Sequence, residues 1–84
     1  MNPVGRSTAA DETLALVSQL KALTSEHDFL QKQYRAWARE YALTGVPHER
    51  DEFNRVLDRI ADLKQEMADV RTALQALAAI GGAR

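Results

Sequence analysis

Apolar residues recur at alternating steps of three and four along two stretches of this chain, and one short break separates them. The first stretch carries Leu16, Leu20, Leu23, His27, Leu30, Tyr34, Trp37 and Tyr41. The second carries Phe53, Val56, Ile60, Leu63, Met67, Val70, Leu74 and Leu77. Such spacing holds a seam on one side of an α-helix and calls for a second helix with the same seam. Between the stretches lies Thr44-Gly45-Val46-Pro47. A glycine readily takes the left-handed position that ends a helix, and a proline cannot continue one. The pattern therefore predicts an all-α fold, an antiparallel two-helix coiled-coil hairpin, rather than one continuous rod.

The expected boundaries are a flexible N-terminal arm over residues 1–7, a first helix over about 8–43, a turn at 44–47, a second helix over about 48–80 and a C-terminal tail at 81–84. Thr8 reads as an N-cap with Asp11 three residues on. Val46 is placed for the hydrophobic contact of a Schellman motif, Pro47 for the first turn of the second helix, and Gly81-Gly82 for its stop. Matching the two seams about the turn sets Tyr41 against Val56, Tyr34 against Leu63, Trp37 against Ile60, Leu30 against Met67, His27 against Val70 and Leu23 against Leu74. At the flank, Glu40 is expected to meet Arg59.

Composition narrows the function classes. With 84 residues there is room for one small domain, and a hydrophobic content of 45% suits a folded chain. Cysteine is absent, which removes disulfides, thiolate metal sites and cysteine nucleophiles together. No apolar run reaches the roughly 18 residues of a bilayer span, and the N-terminus lacks the apolar core of a secretory signal. The expectation is a cytoplasmic protein of bacterial or phage type, with no membrane role. The net charge of −1 gives no global attraction to nucleic acid.

The chemistry-bearing residues are few. His27 is the one polar residue in either seam and reads as a core histidine. It has no second histidine at helical spacing, and Glu26 and Asp28 are expected to point away, so no metal site follows. His48 reads as an exposed turn residue. No nucleophile–base set, phosphate loop or dinucleotide motif occurs. The expectation is no enzyme, no cofactor and no small-molecule substrate.

A second apolar line carries more information. Ala15, Ala22, Phe29, Ala36 and Leu43 repeat every seven residues on the first helix, about 130° from its seam at 100° per residue. They cannot face the helix that the seam faces. Ala76, Ala79 and Ile80 extend apolar character around the end of the second helix. One core below about 70–80 residues rarely yields more than roughly 3–5 kcal/mol, so further burial is expected from outside the hairpin. The line predicts a protein partner or a second copy, a homodimer forming a four-helix bundle. Trp37 and Tyr41 are candidate hot spots of such an interface.

The functional expectation is a protein–protein interaction module, namely a small adaptor, inhibitor or chaperone-like subunit. The alternative is a hairpin dimer that binds nucleic acid through Lys21, Lys32, Arg35 and Arg39 on the outer face of the first helix. The plan around Gly45-Val46-Pro47 and Phe53 resembles the small co-chaperone subunits of bacterial type III secretion. That resemblance covers the turn and the helix–turn–helix plan, and no functional residue carries over from it.

Overall fold

The structure, a computed structural model, describes residues 9–82, with side chains over 10–80. Two helices, α1 (Ala9–Thr44) and α2 (Arg50–Gly82), pack against each other as a hairpin, and the described residues include no strand. The N-terminal arm, the Thr8 cap and residues 83–84 lie outside the described residues. Asp11 and Glu12 stand in the first turn of α1, where negative charge complements the helix dipole. Gly81 and Gly82 do not stop α2 but lie within its last turn.

The turn differs in detail from the sequence expectation. Gly45 has φ +73° and its N–H bonds the Tyr41 carbonyl at 2.8 Å. That single bond is the αL form of helix end, not a Schellman motif, because the Val46 N–H goes instead to the Thr44 hydroxyl at 3.1 Å. The same hydroxyl donates to the Glu40 carbonyl at 2.9 Å, and Val46 stays exposed. Pro47 does not open α2. Glu49 caps it, its carboxylate accepting the Asp51 N–H at 2.6 Å and the Glu52 N–H at 3.2 Å. The first helical bond runs from the Phe53 N–H to the Glu49 carbonyl.

The register is shifted by one heptad toward the turn. Trp37 and Tyr34 lie against Phe53, not Ile60 and Leu63. The Thr24 hydroxyl reaches the Met67 sulfur at 3.5 Å, which puts Leu23 level with Met67 rather than Leu74. Arg59 meets Glu26 instead of Glu40. A heptad shift preserves the match of seam to seam, so the apolar pattern permits both registers. The length of the turn chooses between them.

Leu23, Ile60, Leu63, Met67 and Val70 are buried, and Leu63 is fully enclosed. Leu16, Leu20, Leu30 and Leu74 pack around that centre. Tyr41, expected in the seam, is 54% exposed. The heptad shift sets it level with Glu49, ahead of the start of α2, so no helix lies opposite to cover it.

Candidate functional site

Two surfaces stand out: the outer apolar line of α1 and the aromatic cluster at the turn. A residue on the outer line points away from α2 and gains nothing from hairpin packing. Accordingly Ala15, Ala22, Phe29, Ala36 and Leu43 are all exposed, Phe29 at 63% and Leu43 at 79%. The other interface candidates, Ala76, Ala79 and Ile80, are exposed on α2 at the far end from the turn. With Leu14 also open, that end of the hairpin shows apolar side chains from both helices.

At the turn, Trp37 is half-buried between two rings. His48 stacks on it with centroids 3.7 Å apart and planes 13° from parallel, and Phe53 lies 6.3 Å away on a tilted plane. His48 is therefore not the free loop residue its place in the turn suggests. Its Nε2 also lies 2.6 Å from a Glu52 carboxylate oxygen. The Glu49 cap starts α2 so that Phe53 faces Trp37, and His48, just before the cap, closes over the indole. Trp37, Ala38, Tyr41, Pro47, His48 and Phe53 line an open apolar pocket of about 280 Å³. Of the two candidate hot spots, Tyr41 stands free on the rim while Trp37 serves the packing of the turn.

The hairpin has two broad sides of opposite charge, which the net charge conceals. Helical periodicity places Lys21 and Arg35 of α1 with Arg50, Lys64 and Arg71 of α2 on the side where Thr24 reaches Met67. Asp28 lies among them. On the side where Glu26 meets Arg59 lie Glu40, Glu52, Asp62, Glu66 and Asp69, with Arg55 as a further cation. Of the four cations named from sequence, Lys21 and Arg35 thus belong to a larger basic side, and Lys32 and Arg39 stand apart from it on the outer edge of α1. Lys64, Arg71 and Arg50 were hidden until the antiparallel packing placed the second helix.

Arg59 bridges the acidic side. Its Nε and Nη2 donate to the two Glu26 oxygens at 2.8 and 2.9 Å, and its Nη1 donates to Glu66 at 3.2 Å. The hydrogen bonds from Arg59, aided by its charge, hold the Glu26 carboxyl below its ordinary pKa. His27 is half-buried, its Nδ1 3.5 Å from an Asp28 oxygen and its Nε2 3.5 Å from the Gln31 amide nitrogen. Asp28 therefore turns toward the ring, against expectation, while Glu26 turns away to Arg59.

No helix among the described residues is long and apolar enough to cross a membrane. Comparison with protein-family models, curated proteins and solved structures finds no match for this chain.

Proposed function

We propose that this protein is a non-catalytic protein–protein interaction module that works by presenting the outer apolar line of α1, as an adaptor, inhibitor or chaperone-like subunit does. The observation that carries the reading is Phe29, a large aromatic 63% exposed at the middle of a helix whose seam already faces α2. Leu43 and the alanines on either side make the line continuous. Small residues let another backbone approach closely, and a central aromatic supplies area at little entropic cost. The first partner is a second copy, since two hairpins side by side form a four-helix arrangement that enlarges a small core. Charges around the line set orientation and encounter rate more than affinity.

Light scattering tests this directly. The wild type is expected to have the mass of an oligomer, and Phe29→Asp that of a monomer with its helical circular dichroism retained. A wild type that is monomeric at every concentration and captures no protein would sink the reading.

A second reading has one observation in its favour, the basic side formed by Lys21 and Arg35 with Lys64 and Arg71. Cations on two adjacent helices can follow a phosphate backbone, and such binding weakens steeply with salt. The described aromatics lie in the seam, at the turn or on the outer line rather than among these cations, so stacking on bases is not part of it. A mobility-shift titration at low and high salt separates the readings.

A further inference from the structure

From the pattern along α1 we infer that the second copy docks α1 against α1 in antiparallel fashion, on a two-fold axis passing beside Phe29. This rests on the self-association proposed above and specifies its geometry.

The outer line reads Ala15, Ala22, Phe29, Ala36, Leu43, with Phe29 at its centre. Reversed on itself about that centre, it sets Phe29 against the partner's Phe29, Ala22 against the partner's Ala36, and Ala15 against the partner's Leu43. Each end then joins one large and one small side chain, and the paired alanines between allow close approach. Two parallel copies would instead set Leu43 on Leu43 at one end and Ala15 on Ala15 at the other, wedging the helices apart.

The flanking rows fit the same reversal. In antiparallel packing, positions on the same flank of the two helices face each other. On one flank of the line α1 carries Gln19, Glu26, Gln33 and Glu40 in alternation. The two-fold at Phe29 sets Glu26 beside the partner's Gln33 and Glu40 beside the partner's Gln19, so no carboxylate faces another. On the other flank Lys32 comes beside the partner's Ser25 and Arg39 beside the partner's Ser18. The antiparallel arrangement also sends the two turns, each with exposed Glu49, Asp51 and Glu52, to opposite ends of the assembly. A closed two-fold contact of this kind uses one surface twice and ends at the dimer.

The chain has no cysteine, so single cysteines report the register. Ala22→Cys and Ala36→Cys are made separately, keeping Phe29, and exposed to an added oxidant that takes two electrons and two protons per disulfide. Expected is a cross-linked dimer when the two variants are mixed and little with either alone. Residues 22 and 36 are about 21 Å apart along a helix at 1.5 Å per residue, so identical cysteines on antiparallel copies stay far out of disulfide reach. Efficient cross-linking of each variant with itself would establish parallel packing and overturn the inference. So would a dimeric wild type whose cysteine variants, shown by light scattering to remain dimeric, do not cross-link in the mixture. A wild type that is monomeric throughout, or that binds nucleic acid as a monomer, would instead remove the underlying self-association.

Discussion

The His48 imidazole lies flat on the Trp37 indole, centroids 3.7 Å apart, so the turn is closed by a stack between the end of one helix and the residue before the cap of the next. Aromatic pairs of this kind contribute about 0.5–1.5 kcal/mol beyond the area they bury. His48→Ala is expected to lower stability by roughly 1 kcal/mol in denaturant titration. Trp37 is the only tryptophan, so its fluorescence reports the contact. Removing the stacked ring changes the surroundings of the indole, so His48→Ala should shift the emission spectrum of Trp37 relative to the wild type. Identical emission spectra in the two proteins would show that the rings are apart in solution.

Gly45 is the second element of the turn. A Cβ added there would meet nothing within 4 Å, yet the backbone sits at φ +73°. Substitution therefore acts through backbone strain alone, about 1–2 kcal/mol for a residue bearing a Cβ. Gly45→Ala is expected to lower Tm by several degrees in a calorimetric scan, with Gly45→Asn costing less because asparagine tolerates the left-handed region better. An alanine variant as stable as the wild type would mean that the turn adopts another conformation.

These two residues also show what could be read from the chain and what could not. The hairpin was legible because heptad spacing and a Gly/Pro break leave few alternatives. The register was not, since shifting Trp37 from Ile60 to Phe53 exchanges one apolar neighbour for another and keeps every seam position in the seam. The place of reversal decides it: a chain that doubles back near Gly45 brings Trp37 level with Phe53, whereas pairing Tyr41 with Val56 requires a reversal near His48 and Glu49. Heptad spacing alone sets Tyr41 in the seam, where the structure exposes it, and the place of His48 in the turn gives no sign of its stack on Trp37. The outer line of α1 was visible because Phe29 cannot share a face with Leu23 and Leu30. The basic side depends on which residues of α2 flank Lys21 and Arg35, and net charge contains none of that.

Leu63 tests how much of the stability resides in the hairpin itself. It is fully enclosed, so Leu63→Ala removes buried methyl groups with no route for water to compensate, at a cost of about 2–5 kcal/mol. A core of this size supplies roughly 3–5 kcal/mol in total. The variant is expected to be largely unfolded as a dilute monomer and to regain helicity as concentration rises, because association stabilises only the folded form. Loss of helicity with no dependence on concentration would argue that assembly contributes nothing to folding.

The bridge between Arg59 and Glu26 has a defined pH signature. The Glu26 carboxyl is held below its ordinary pKa mainly by hydrogen bonds from Arg59, so its ionised form is favoured in the folded chain. A depressed carboxylate contributes stability that is complete above its unfolded pKa and disappears as pH falls through the folded one. Arg59 is shifted upward, away from any accessible acid range, and adds nothing to this window. The wild type should therefore lose Tm more steeply than Glu26→Gln below the usual carboxylate range, and the difference should shrink at high salt, because both side chains are substantially exposed. Tm measured for both proteins from about pH 7 to about pH 3, a span that brackets the ordinary carboxylate pKa, checks this. Parallel curves would show that the guanidinium is solvated rather than bonded to Glu26, and the charge bridge across the acidic side would have to be abandoned.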